Sequence, residues 1–256
     1  MAEKQATREA YGEALLELGK EYKDLVVMDA DLSGSTKTSV FAKAYPERFF
    51  DMGIAEQDMI GAAAGLAASG KIVCASSFAM FAAGRAFEII RNSIGYAGLN
   101  VKICATHVGI SVGPDGASHQ TFEDIALMRT VPGMTVINPS DGNSAKKLIK
   151  EAVAMKGPCY IRLGRAKVPQ FYGDDPDITI GKGNLLREGK DITIIATGIL
   201  VNSAIEAAEA LAAKGVDARV IDIHTIKPID EEIIVKAAEE TGAVVTAEEH
   251  SVIGGL

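Results

Sequence analysis

Between residues 8 and 22 the apolar positions Ala10, Tyr11, Ala14, Leu15, Leu18 and Tyr22 recur at helical spacing, which predicts an amphipathic helix with Thr7 as its N-cap. Leu25-Val-Val-Met-Asp29 lacks that spacing and is continuously apolar, which predicts a buried strand. The two patterns then alternate. Strands are expected near 49–52, 71–76, 101–106, 134–137 and 159–163, and helices over 56–69, 82–97, 121–130 and 142–155. This alternation implies a parallel sheet with helices on both faces. Residues 59–68 carry hardly a polar side chain, so their helix should be buried all round, with Gly70 stopping it.

Residues 169–183 are turn-rich, with Gly173-Asp-Asp-Pro-Asp177 inside them. A second α/β series follows, with strands expected over 191–197, 217–222 and 243–247 and helices over 201–214 and 230–240, the last capped by Asp230. The fold class is therefore α/β in two domains, each a mostly parallel sheet with helices on both faces. The domains run over 1–172 and 184–256, joined by a linker at 173–183. Three strands make a thin second domain, and the chain stops at Leu256 where a further helix is expected, so that domain is read as truncated.

Composition fits this picture: 256 residues with 48% hydrophobic and 23% charged side chains build a sizeable core. The net charge of -8 is spread over mixed acidic and basic positions, which speaks against nucleic acid as a partner. No apolar run reaches the length of a membrane span, and Met1 to Thr7 lack the apolar core of a secretory signal. The cytoplasm is the expected location. Cys74, Cys104 and Cys159 sit in apolar runs without zinc or redox spacing and are read as buried thiols of a reducing compartment. No Gly-x-Gly-x-x-Gly follows a strand, and neither a P-loop nor a Gly-x-Ser-x-Gly elbow occurs, which weakens nucleotide and serine-hydrolase readings.

Several residues are poorly explained by folding alone. Glu56 opens the very apolar helix, where a carboxylate needs a partner, a proton or a ligand. Arg8 falls in the first turn of its helix and opposes the dipole, which suggests a neighbouring carboxylate or an anionic ligand. Asp31 and Ser35 lie in a polar loop after a parallel strand, where sites commonly form. Thr106 to Gln120 hold His107, Asp115 and His119 among three glycines and a proline. That loop suits hydrogen bonding to a polar substrate; a metal set and purely structural histidines are the alternatives, and the spacing matches no common zinc site. Phe78 and Phe81 are two rings in a chain only 5% aromatic, and they could be core or the apolar wall of a pocket.

Taken in order, Gly53-Ile-Ala-Glu-Gln57, Ser77-Phe-Ala-Met-Phe81 and the loop from Thr106-His107 to Asp115-Gly-Ala-Ser-His-Gln120 resemble the pyrimidine-binding domain of the transketolase family of thiamine diphosphate enzymes. Asp222-Ile-His-Thr-Ile-Lys-Pro-Ile-Asp230 and Glu248-Glu-His250 resemble the family's C-terminal domain. The resemblance implies that Glu56 bonds N1′ of the cofactor's aminopyrimidine, that Phe81 stacks on that ring with Phe78 nearby, and that Asp31 lines the cofactor site. It implies that His107, Asp115 and His119 contact the sugar, with His107 joining Glu56 in catalysis, and that Arg8, Ser35 and Arg165 hold a sugar phosphate.

Gly84, Val108 and Ala117 depart from the transketolase pattern. Gly53 to Gln57 reads more like 1-deoxy-xylulose-5-phosphate synthase, whereas His107 points to transketolase. No Gly-Asp-Gly followed by a metal-binding Asn is present, so a separate N-terminal subunit is expected to hold the diphosphate and Mg2+ (or Ca2+), with no metal site here, in an α2β2 assembly. The expected activity is transfer of a two-carbon ketol unit between sugar phosphates of the pentose phosphate pathway. The alternatives are a synthase-like or 2-oxo acid dehydrogenase β-like subunit, or a non-catalytic partner subunit.

Overall fold

The computed structural model describes residues 3–256; Met1 and Ala2, the start of the stretch read as lacking a secretory signal, lie outside the described residues. Strand β1 (Lys4–Gln5) leads into helix α1 (Thr7–Glu21) and strand β2 (Leu25–Asp29). Short helices α2 (Ser33–Thr36) and α3 (Ser39–Ala44) precede β3 (Phe49–Asp51), α4 (Glu56–Ala68) and β4 (Ile72–Phe78). Next come α5 (Phe87–Ile89), β5 (Val101–Thr106), α6 (Asp124–Thr130), β6 (Thr135–Ile137), α7 (Gly142–Ala154), β7 (Cys159–Leu163) and β8 (Val168–Pro169). The second half contains β9 (Asn184–Arg187), β10 (Ile192–Ala196), α8 (Leu200–Ala212), β11 (Ala218–Asp222), β12 (Thr225–Lys227), α9 (Glu231–Thr241) and β13 (Val244–Ala247).

Among the described residues, a seven-stranded sheet runs in the order β12-β6-β7-β5-β4-β2-β3. All its pairs are parallel except β12 with β6. Every residue of β2, β5 and β7 is buried, as continuous apolar runs in a doubly covered sheet require. On one face α1 and α7 pack Ala10, Leu15 and Leu18 with Leu148 and Ile149 against Val27, Cys74 and Ile161. On the other, Met59, Ile60 and Ala63 of α4 join Ala82, Ala83 and Ile90 over Val26, Ala75 and Ile103. Cys74, Cys104 and Cys159 are free and fully buried, as expected.

The second sheet runs β13-β10-β11-β9, with β9 antiparallel. Alternate residues of β10 face opposite helices: Ile194 packs with Val201 and Ala204 of α8, and Ile195 with Ala237 of α9. Among the described residues, no helix is long and apolar enough to cross a membrane.

Several local expectations are corrected. Thr7 is the first residue of α1 and Ala6 its N-cap, because the Thr7 hydroxyl instead accepts the Gly164 N–H at 2.7 Å. The helix expected from residue 121 starts at Asp124, since Thr121 pairs with Gly109 in an isolated bridge and bonds Glu123 through its side chain. The helix expected over 82–97 is wound as π-helical turns, Met80–Arg85 and Ile90–Gly95, on either side of α5. Such insertions widen a helix locally and favour functional sites. The second sheet has four strands rather than three. Its extra strand, β9, is an edge with Leu185 45% exposed, so it lacks the apolar signature of a buried strand. The second half also lends β12 to the first sheet.

The junction between the halves contains a buried carboxylate. Ser140 Oγ and Tyr172 OH donate to Asp222 Oδ2 at 2.6 and 3.0 Å, while Oδ1 has no partner among the described residues. Burial pushes the Asp222 carboxyl up to about 7; the two hydroxyl donors oppose this and neighbouring Asp141 adds repulsion. Its ordinary value is 3.8, so an unfolded chain sheds this proton earlier, and stability falls as pH rises from about 4 to about 7. Asp222→Asn keeps an acceptor for both hydroxyls and removes that slope. Urea unfolding should show the variant gaining on the parent as pH rises, by roughly 2–4 kcal/mol near pH 7; an unchanged difference across the range would contradict the burial argument.

Candidate active site

Strand order reverses between β2 and β4: the chain leaves β2 for β3 on one side and β4 for β5 on the other. Loops therefore part at the carboxyl ends of these strands, the usual position of a site in an open α/β sheet. Each candidate residue sits at that end. Asp31 follows β2, Glu56 follows β3, Phe78 ends β4, His107 follows β5 and Arg165 follows β7.

Glu56 is the first residue of α4 and 2% exposed. Its Oε2 accepts Arg85 Nη1 at 2.6 Å, and the Arg85 guanidinium lies over the Phe81 ring, 4.7 Å from the centroid. Phe81 lies nearly parallel to Phe78, with centroids 6.2 Å apart and planes at 14°. Phe78 in turn stacks on His107 at 3.8 Å, and His119 meets Phe81 edge-on at 5.1 Å. A continuous row of flat groups thus connects Glu56 to the loop of histidines. A cleft of about 500 Å³, lined by Ile54, Glu56, Gln57, Arg85 and Ile89 among others, opens beside it.

His107 and Asp31 adopt left-handed backbone, at φ 56° and 61°. For non-glycine residues this stores strain, of the kind that clusters at functional sites. His107 is buried and its Nδ1 lies 3.0 Å from Thr106 Oγ1. Burial lowers its pKa to about 4, the Arg8 guanidinium adds to the shift, Asp115 opposes it, and Arg165 and His119 reinforce it. Arg8, Asp115, Arg165 and His119 therefore all act on one imidazole. His119 Nδ1 pairs with Ser118 Oγ at 2.9 Å.

Arg8 donates through Nη1 to the Ser35 backbone carbonyl at 2.5 Å, and its buried Nε has no partner among the described residues. Burial and then repulsion from Arg165 lower its pKa, against Glu9 and Asp115. The Arg165 guanidinium packs so closely on Gly113 that a Cβ there would lie 2.6 Å from Nη1. Two guanidiniums within each other's field make a site for an anion. The structure brings Arg8, Arg165 and the Ser35 backbone together; Ser35 serves Arg8 through its carbonyl. Asp31 stands apart. It is exposed, its N–H donates to Asp51 Oδ1 at 3.0 Å, and among the described residues no hydrogen bond links it to Glu56. At Gly84 an added Cβ would lie 3.0 Å from the Met80 methyl, so Met80 occupies the space of a larger side chain there. Among the described residues, no cluster of three or more His, Cys, Asp or Glu side chains is placed to hold a metal ion.

The family model described as the transketolase pyrimidine binding domain matches residues 3–170, and that of the transketolase C-terminal domain matches residues 181–256. The chain belongs to the transketolase family. A protein of Methanocaldococcus jannaschii named as a transketolase C-terminal section is 57% identical over 251 residues, covering 97% of this chain and 78% of that one. A solved split-gene transketolase, described as an inactive β4 tetramer, is 60% identical with a TM-score of 0.91, covering 98% of this chain and 82% of that one. Human transketolase is 37% identical over 260 residues, and the match takes in 100% of this chain but 41% of the human enzyme.

In this transketolase chain the second domain reaches into the site. Glu249 Oε1 accepts the N–H groups of Ile110 and Ser111 at 2.9 and 2.7 Å, and its carboxylate fills the space a side chain on Gly109 would need. Arg162 Nη2 donates to the Glu249 carbonyl at 2.8 Å while its Nε donates to Asp124 Oδ2 at 2.9 Å. The next residue, His250, accepts the Ile125 N–H at 3.2 Å, near the start of α6. Glu249 and Arg85 are the site residues that the sequence reading passed over. Arg85 had a signal, being the one charge between Phe78 and Phe87.

An NMR titration should find the His107 ring neutral at pH 6, with a midpoint near 4 against an ordinary 6.5. The depressed value means that stability is lost as pH falls from about 6.5 to about 4, because the unfolded chain takes the proton first. A midpoint near 6.5 would refute the burial argument. Glu249→Ala should speed hydrogen exchange at the Ile110 and Ser111 amides and destabilise the chain by roughly 1–3 kcal/mol; unchanged exchange would show that the clamp is idle.

Proposed function

We propose that this chain is the pyrimidine-side subunit of a thiamine diphosphate-dependent transketolase. It acts with a separate N-terminal subunit that holds the diphosphate and Mg2+ (or Ca2+), in an α2β2 assembly. The reaction is transfer of a two-carbon ketol unit between sugar phosphates, in the cytoplasm and in the pentose phosphate pathway. The pyrimidine domain spans 1–172, the linker 173–183 and the C-terminal domain 184–256.

The observation that carries this reading is a buried Glu56 carboxylate that shares one flat partner, the Arg85 guanidinium, with the face of the Phe81 ring. Arg85 supports the fit, since a planar group with N–H donors already spans carboxylate and ring face. The inactive β4 state of the split-gene relative is the behaviour expected of a pyrimidine half without its partner.

Bound thiamine diphosphate supplies a nucleophilic thiazolium carbon, the chemistry that no side chain offers. Glu56 would hold ring N1′ and share a proton there, which would favour the ring form able to act as an internal base. Phe81 would stack on the ring, with Phe78 behind it, and Asp31 would line the site. His107, kept neutral, is free to accept or donate at a hydroxyl or carbonyl oxygen of the sugar, and Asp115 and His119 take further hydroxyls. Arg8 and Arg165 bind the phosphate, and the Ser35 carbonyl aims Arg8.

With the diphosphate-binding subunit present, the chain should turn over xylulose 5-phosphate with an aldose phosphate acceptor, and neither subunit should do so alone. Glu56→Gln should lower kcat by at least about a hundredfold with assembly intact by size-exclusion chromatography. Full activity of that variant would instead mark a non-catalytic subunit, and turnover of pyruvate in place of the ketose phosphate would mark a synthase or dehydrogenase.

A further inference from the structure

Arg85 makes the two contacts that the proposed function reserves for the cofactor's ring. Its Nη1 donates to Glu56 Oε2 at 2.6 Å, and its guanidinium carbon lies 4.7 Å from the centroid of Phe81. The guanidinium is flat, delocalised and rich in N–H donors, and it stacks on aromatic faces. An aminopyrimidine stacked on Phe81 and bonded to Glu56 through N1′ would satisfy the same two partners. The same ring face and the same carboxylate oxygen do not serve both at once.

The placement follows from the local winding. Arg85 closes the π-helical turn Met80–Arg85, about one turn beyond Phe81, so its side chain returns across that ring. Its backbone carbonyl accepts the Gln57 side-chain amide at 3.2 Å, which pins the main chain while the side chain stays free to swing. Exposure is asymmetric: the Glu56 side chain is 2% exposed and that of Arg85 46%. The carboxylate is fixed inside, and its partner has an open route to solvent.

A buried carboxylate without a partner is strongly unfavourable. The Arg85 contact relieves that penalty in the free subunit, and a ring that takes the same oxygen and the same face of Phe81 must displace it. We propose that Arg85 is a further residue of the cofactor site: a placeholder that covers Glu56 and Phe81 in the free subunit and withdraws when the aminopyrimidine enters. The inference rests on the cofactor reading of Glu56. It makes one residue both a stabiliser of the free subunit and a competitor of the cofactor.

The test uses the assembled two-subunit enzyme, titrated with thiamine diphosphate and Mg2+ by calorimetry, so that binding is read without turnover. Arg85→Ala should bind the cofactor about tenfold more tightly than the parent, the combined worth of a half-buried ion pair and a cation–π contact. The isolated variant subunit should unfold at lower temperature. Arg85→Met keeps the stem without the charge and should show the same tightening, which covers the case in which the alanine variant fails to assemble. Unchanged or weaker binding in these variants would overturn the placeholder and would mean that Arg85 stays on Glu56 in the loaded enzyme. Glu56→Ala in the same titration separates the two levels. If it weakens binding and the Arg85 variants do not tighten it, the placeholder alone fails; if it leaves binding unchanged, the cofactor reading itself fails.

Discussion

A parallel sheet covered on both faces leaves its strands only their ends for chemistry, and this constraint orders the whole molecule. The faces of β2, β5 and β7 are fully committed to α1 and α7 on one side and to α4 and the π-wound segment on the other. Polar groups with work to do are confined to the carboxyl ends, and the reversal between β2 and β4 opens a gap there. Glu56 is buried and polar because it stands on that boundary. Its helix, expected to be buried all round, is buried on one face only, with Gln57, Asp58, Gly61, Gly65 and Ala68 exposed, because the sheet covers one side of it. Glu56 lies on the buried face, where Arg85 meets it.

The second domain is tied to the first by buried polar contacts as well as by chain connectivity. Strand β12 extends the first sheet, Ser140 and Tyr172 bond Asp222, and Glu249 holds the backbone of the histidine loop. A loop rich in glycine has many conformations to lose on ordering. Two hydrogen bonds to one carboxylate, itself anchored through its backbone by the buried Arg162, fix the part of the loop nearest His107. The Glu248-Glu-His250 motif therefore acts at a distance from its own sheet, on a loop more than a hundred residues earlier in the chain.

That distance explains what could be read from the sequence. The periodicity of α1 and the apolar runs of β2, β5 and β7 are local signals of burial, and they located the elements to within a few residues. His107, Asp115, His119, Arg8 and Arg165 stood out in the sequence as a family pattern, and in the structure Arg8, Asp115, Arg165 and His119 all act on the His107 ring. The misfit of Arg8 with its helix dipole goes with a buried Nε that has no partner among the described residues. Thr7 as N-cap and the three-stranded second sheet went astray for a common reason. In each case a tertiary partner overrode a local preference: Gly164 for the Thr7 hydroxyl and β11 for the poorly apolar β9. The Arg85 and Glu249 contacts depend on where side chains return after a turn of helix or a domain crossing, which no spacing encodes.

The electrostatics of the site join its two ends. His107 is neutral because burial removes it from water and because Arg8 and Arg165 oppose a third positive charge, with Asp115 offsetting only part of the effect. On the proposed function the same two guanidiniums bind a sugar phosphate, and a dianion between them cancels much of their field at His107. The imidazole would then become easier to protonate once substrate is seated than before. At the other end, Glu56 faces a cation that, on the same function, it would exchange for a ring. On that function, a free subunit with its histidine held neutral and its glutamate covered would have its charges rearranged by the phosphate and the cofactor ring.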